Sequence, residues 1–142
     1  MHTIRQILDH KGADVHWVAP DSSVLDGIRK MAELGIGALM VLRDGKPAGI
    51  FSERDYARKV ILEDRSSRDT RVEEIMTRDL VTIDIRATAD AGLALMTRKK
   101  FRHLPVMDSG ELAGLVSIGD LVNAVIEDQQ LLIEQLERYV TS

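Results

Sequence analysis

Two short strings in this chain put a hydroxyl and a carboxylate at the same spacing: Gly49-Ile50-Phe51-Ser52-Glu53-Arg54-Asp55 and Gly114-Leu115-Val116-Ser117-Ile118-Gly119-Asp120. In each, serine follows an apolar run and aspartate comes three residues later. A serine so placed ends a strand and caps the next helix, and its hydroxyl or the free helix N–H groups can take a phosphate oxygen. The aspartate lies in the first helical turn, is acceptor-only when ionised, and suits the two hydroxyls of a ribose. Basic residues stand close by: Arg54 inside the first string, Arg58 and Lys59 one turn on, Arg102 and His103 ahead of the second. Arginine pairs with phosphate bidentately and histidine can donate to it. The plainer reading of Ser-x-x-Asp is a helix-start box of reciprocal hydrogen bonds, and capping and binding are compatible.

Other chemistries are poorly served. With no cysteine there is no disulfide framework, thiolate metal site or cysteine nucleophile. The four histidines, His2, His10, His16 and His103, show no metal-ligand spacing, so no metal is expected. Gly-x-Ser-x-Gly, His-Glu-x-x-His and a Walker A loop are all missing, and the chain reads as non-enzymatic. A formal net charge of −4 argues against a nucleic-acid partner. No apolar run approaches the roughly 20 residues that span a bilayer. Met1 to Gln6 leads into no apolar signal core, so the expected location is the cytoplasm.

The elements that hold the two strings repeat. Shifted by the 65 positions that separate Met31 from Met96, the chain falls on itself without a gap. Gly27 meets Gly92, Leu39 meets Leu104, Val41 meets Val106 and Gly45 meets Gly110. Ala48-Gly49 meets Ala113-Gly114, Ser52 meets Ser117, Asp55 meets Asp120, and Val60-Ile61 meets Val125-Ile126. Upstream, at a slightly larger offset, Ile4-Arg5-Gln6-Ile7-Leu8 resembles Val72-Glu73-Glu74-Ile75-Met76. Such internal periodicity decides the fold reading.

Each copy opens on an extended segment, Val15–Ala19 or Leu80–Asp84, and a Ser/Thr turn. A helix follows, with Val24, Ile28, Met31 and Ala32 on its inner face in the first copy and Ala91, Leu95 and Met96 in the second. Gly35 ends the first of these helices. Two strands come next, Ala38–Leu42 with Ala48–Phe51, and His103–Met107 with Ala113–Ser117. Asp44-Gly45 and Ser109-Gly110 between them are hairpin turns in which glycine supplies a positive φ. A second helix closes each copy, from Glu53 to about Glu63 and from Gly119 towards Tyr139. The polar stretch 63–71 is the linker. The prediction is an α+β protein of two β-α-β-β-α domains, 1–65 and 66–142, the second with an extended C-terminal helix. At about 60 residues each half is marginal alone, so the two should pack sheet against sheet with pseudo-twofold symmetry.

On both seven-residue strings, and on Phe101-Arg102-His103-Leu104-Pro105-Val106, the chain resembles the CBS domain family in its tandem arrangement, the Bateman module. The resemblance covers nearly the whole chain. It implies an adenine-nucleotide sensor with Asp55 and Asp120 on ribose and Ser52 and Ser117 near phosphate, with Arg102 and His103 also facing phosphate; Arg54, inside the first string, is a further candidate ligand contact. Adenine would lie against Val18 on the first strand and Gly37-Ala38, or against Thr82, Ile83 and Pro105, with Ile118 and Gly119 lining the second site. The ligand, AMP, NAD or ATP, is expected between the repeats. Asymmetry predicts unequal sites: Gly37-Ala38-Leu39-Met40 stands where the second copy has Arg102-His103-Leu104-Pro105, and Gly119 replaces Arg54. Few basic residues per site favour AMP or NAD.

The final helix carries apolar residues further than one repeat needs. Ile133, Leu136 and Val140 are expected to pack on the other half or on a second copy. The expected partners are therefore adenine nucleotides, a second chain in a homodimer, and an unidentified regulated protein. The alternative is a structural homodimerisation module in which nucleotide only stabilises.

Overall fold

The computed structural model describes Met1–Thr141 and divides into two compact units. One is Asp14–Leu80; the other joins Met1–Ala13 to the chain from Val81 onwards. The fold is mixed α+β, with one three-stranded sheet in each unit.

In the unit Asp14–Leu80, β1 (Trp17–Val18) runs parallel to β2 (Ala38–Arg43), which pairs antiparallel with β3 (Lys46–Ser52). Asp44 and Gly45 both take positive φ, 52° and 77°, the signature of a type I′ hairpin turn. α2 (Val24–Leu34) starts on the Ser23 hydroxyl, which accepts the Asp26 N–H, and stops at left-handed Gly35. α3 (Glu53–Tyr56) follows β3 and passes into a π-helical turn, Ala57–Ile61, where an unbroken helix to about Glu63 is expected from the sequence. α4 (Val72–Ile75) completes the unit. The core is Val18, Val24, Met31, Leu39, Val41, Phe51, Val60, Val72, Ile75 and Met76.

The second unit repeats the plan. β4 (Ile83–Asp84) runs parallel to β5 (His103–Asp108), and β5 is antiparallel to β6 (Glu111–Ser117). α5 (Ala89–Lys99) is capped by the Thr88 hydroxyl, and α6 (Ile118–Thr141) is a single 24-residue helix. Its fourth layer is α1 (Ile4–Lys11), from the other end of the chain. Ile4, Ile7 and Leu8 join Ile83, Ile85, Ala89, Met96, Leu104, Val106, Val116, Leu121 and Ala124 in one core.

Each unit thus takes its accessory helix from the neighbouring repeat, with matching backbone bonds. Ile4 donates to the Ala87 carbonyl at 2.8 Å and Arg5 to Ile85 at 2.9 Å; Val72 donates to Ser22 and Glu73 to Pro20, both at 2.9 Å. Return bonds run from Ala89 to the His2 carbonyl and from Val24 to that of Thr70. The polar stretch before α4 is held too, since Leu25 donates to the Ser67 carbonyl and Thr70 is buried.

Two expectations are corrected. The opening strands are two residues long, leaving Thr82 outside β4. The inner faces of the first helices carry Gly27 and Gly92, while Ala32 and Ala91 are exposed. A Cβ on Gly27 would lie 2.6 Å from the Phe51 ring, and one on Gly92 2.7 Å from a Leu121 methyl, so only glycine fits there. The tail residues Ile133, Leu136 and Val140 stand exposed in the single chain, which leaves a second copy as the packing open to them.

The signature glycines are packing residues as well. A Cβ on Gly49 would meet Met76 sulfur and the Thr77 carbonyl oxygen, both at 2.7 Å; on Gly114 it would meet a Leu8 methyl at 2.8 Å. A methyl can rotate away, but a backbone oxygen held in a strand bridge cannot. Gly49→Ala is therefore expected to lower the urea midpoint of unfolding by the equivalent of about 1–3 kcal/mol, with Gly114→Ala costing less. Equal losses would contradict this account.

Candidate ligand-binding site

Each unit presents the same junction. β3 ends at Ser52, opposite Ala38, and β6 ends at Ser117, opposite His103. The first helical N–H is satisfied across the hairpin: Glu53 donates to the Gly37 carbonyl at 3.0 Å and Ile118 to that of Arg102 at 2.9 Å. Both Ser-x-x-Asp strings then close as reciprocal boxes. The Asp55 N–H donates to Ser52 Oγ at 3.1 Å, while Asp55 Oδ2 accepts from Ser52 N and Oγ, each at 3.0 Å. The Asp120 N–H donates to Ser117 Oγ at 3.1 Å, and Asp120 Oδ2 accepts from Ser117 N at 2.8 Å. Capping is therefore real, and it fixes where each carboxylate points.

Capping does not use up the carboxylates. Asp55 keeps Oδ1, which faces Lys59 Nζ at 3.3 Å and accepts from Thr77 Oγ1 at 3.5 Å. The second carboxylate meets a lysine from α1: Lys11 Nζ donates to Asp120 Oδ2 at 2.7 Å and to the Leu115 carbonyl at 3.1 Å. Lys59 likewise donates to a carbonyl, that of Ile75, at 3.0 Å. Both aspartates are shielded, with side chains only 13% and 24% exposed.

The second site is the more perturbed electrostatically. Burial pushes the Asp120 carboxyl up, but the hydrogen bonds from Lys11 and Ser117 together outweigh it and hold the group below its ordinary value. His103 is pushed below its ordinary value by burial; Asp120 opposes this, while Lys11 and Arg102 add to it. At neutral pH His103 is a neutral imidazole, able to donate one hydrogen bond and accept another.

The remaining sequence-derived residues fall into two groups. Val18, Ala38, Ile83 and Pro105 are buried strand residues, and Gly37 is half-buried before β2. Their side chains belong to the sheets and the core layers around them. Thr82, Ile118, Gly119, Arg54 and Arg102 are exposed. Among the described residues, Arg54 and Arg102 make no hydrogen bond or ion pair through their side chains. Two cationic heads thus stand near the junctions, one in each unit, without an anion.

Lys11 and Thr77 are contacts the strings do not contain. Lys11 lies 109 residues from Asp120, and Thr77 22 from Asp55. The signal for both was the resemblance of Ile4–Leu8 to Val72–Met76, since residues just beyond those segments share the same approach to a string. Lys11 and Asp120 also line a groove of about 540 Å³ between α1 and α6, with His2, His10, Asn123 and Glu127 on its walls. That size lies within the range of small-molecule sites. Among the described residues no cluster of three His, Asp or Glu side chains could hold a metal, and no helix is long and apolar enough to cross a membrane.

Two copies of one α+β unit, each with a strand-end serine and a capped aspartate, define a tandem CBS pair. The family model for the CBS domain matches residues 4–62 and again 72–127, and the chain belongs to that family. It is 51% identical to a solved protein with CBS domains from Burkholderia ambifaria MC40-6, over 89% of this chain and 96% of that one, with a TM-score of 0.85. It is 35% identical to the mitochondrial CBS domain-containing protein CBSX3 of Arabidopsis thaliana, over 97% of this chain and 71% of the relative. The CBS domain pair of MJ0100, solved in complex with 5′-methylthioadenosine and S-adenosyl-L-methionine, shares the fold at a TM-score of 0.79 and 21% identity, over 90% of this chain and 98% of that one.

The depressed His103 gives a pH expectation. Its unfolded form binds a proton near pH 6.5 and its folded form only lower, so stability is full above 6.5 and is lost as pH falls from there towards the folded value. Thermal melts of wild type and His103→Gln at pH 7.5 and 5.5 should show the variant losing less. A parallel loss in both would mean that His103 is not held neutral by the fold.

Proposed function

We propose that this protein is an adenine-nucleotide sensor that binds AMP, NAD or ATP at its two strand–helix junctions and signals occupancy to a partner protein. The observation that carries the reading is the duplicated Ser–Asp box, each with a shielded carboxylate beside a lysine and an unpaired arginine in the same unit. A carboxylate fixed by its own backbone bonds is a pre-set acceptor for paired ribose hydroxyls. Arg54 in one unit, and Arg102 with neutral His103 in the other, supply phosphate donors. Thr82 and the backbone around Ile83, and Val18 with Gly37, are the proposed adenine contacts. Ser52 and Ser117, with Ala38, Pro105, Ile118 and Gly119, line the rest. The family supports a regulatory rather than catalytic role. The Burkholderia relative is a candidate signal-transduction protein, and MJ0100 holds adenosine derivatives on the same fold.

Thermal shift with AMP, ADP, ATP, NAD and GMP tests this on protein stripped of co-purified ligand. An adenine nucleotide at about a hundred times its dissociation constant should add roughly 2.7 kcal/mol, and GMP little. Asp55→Ala and Asp120→Ala should each weaken one of two binding events by about tenfold or more. Unchanged titrations in both variants would remove the ribose assignment.

A second reading, dimerisation with nucleotide as a stabilising ligand only, is favoured by α6. Ile126, Ile133 and Val140 repeat every seven residues, with Val122, Gln129 and Leu136 as the second row of a heptad seam. All six are exposed in the single chain. We propose a homodimer through this seam. Ile133→Asp combined with Leu136→Asp should convert dimer to monomer in sedimentation velocity. A wild-type monomer, or an unaffected dimer, would rule the seam out.

A further inference from the structure

The two aspartates share a feature that the ribose reading does not require: each is already held by an ammonium group. We infer that Lys11 and Lys59 are displaceable counter-ions of Asp120 and Asp55, and that they make the sites select phosphorylated nucleosides over bare ones. The inference rests on the nucleotide reading above and names the groups that set its specificity.

The two lysines reach equivalent carboxylates by unrelated routes. Lys59 lies on the π-helical turn, four residues after Asp55; the second repeat has Ala124 at that register. Lys11 ends α1, and among the described residues no other cation pairs with Asp120. A cation placed on the same carboxylate from two different elements is a requirement of the carboxylate rather than a by-product of one helix. A shielded carboxylate without a counter-charge is costly, which supplies the reason.

Ribose hydroxyls are neutral donors. Two ribose hydroxyls seated on Asp120 take one oxygen each, and the one on Oδ2 competes there with the Lys11 ammonium, which then needs another anion. A 5′-phosphate on the same ligand supplies one within reach of the four-carbon stem, so the lysine exchanges one anion for another. A nucleoside displaces the ion pair and offers nothing in return. Lys11 and Lys59 are 37% and 46% exposed, and Lys11 borders the groove between α1 and α6, so both heads have room to move.

Calorimetric titration of the full chain with AMP and with adenosine tests this, in an Asp55→Ala background that isolates the second site. Wild type at Lys11 should prefer AMP. Lys11→Met, which keeps the stem and removes the charge, should lower AMP affinity about tenfold and raise that of adenosine, while Lys11→Arg keeps the preference. Lys11→Gln serves if the methionine variant does not fold. An AMP-to-adenosine ratio unchanged by loss of the charge, or both affinities falling together, would overturn the inference and leave the nucleotide reading intact. Binding of neither ligand by the parent chain would overturn the nucleotide reading itself, and this inference with it.

Discussion

The close approach of a short helix to a bare strand backbone is the constraint on which the rest depends. Gly49 and Gly114 give up their side chains so that Met76 and Leu8 can lie directly on β3 and β6. That contact closes one side of each core, and the bonds around it tie α1 and α4 to the loops ahead of α5 and α2. It also determines what stands beside each carboxylate. Thr77 reaches Asp55 because Met76 is seated on Gly49, and Lys11 reaches Asp120 because Leu8 is seated on Gly114. The glycine of the signature bears on each carboxylate through the helix it admits.

Much of this was legible in the sequence. The ungapped register of Leu39 with Leu104, Ser52 with Ser117 and Asp55 with Asp120 fixed the repeat, the strand order and the boxes, because burial and hydrogen bonding at those positions depend on local pattern. Asp-Gly and Ser-Gly announced the hairpins for the same reason. The inner faces of α2 and α5 were less legible. Helical periodicity counts apolar side chains, whereas Gly27 and Gly92 are inward because the Phe51 ring and Leu121 leave no room for one. Nor could periodicity show the π-helical turn after Tyr56, since the helix ends at Ile61 and leaves no later turn in which a shifted apolar face would appear.

The site was legible in part, and the division is physical. Ser52, Asp55, Ser117 and Asp120 are joined within three residues, so spacing alone relates them. The contact between Lys11 and Asp120 is a tertiary one, invisible until the accessory helix is placed. His103 shows the same limit: its type suggested phosphate, but its proton affinity is set by burial and by the three charges around it.

The crossing of α1 and α4 between repeats bears on how the gene can be divided. A fragment cut at the polar stretch 63–71 would carry one accessory helix whose core lies in the missing half, and would lack the helix its own core needs. Neither piece would be a smaller version of the whole. The pair, not the single repeat, is therefore the smallest piece of this chain in which both cores are complete.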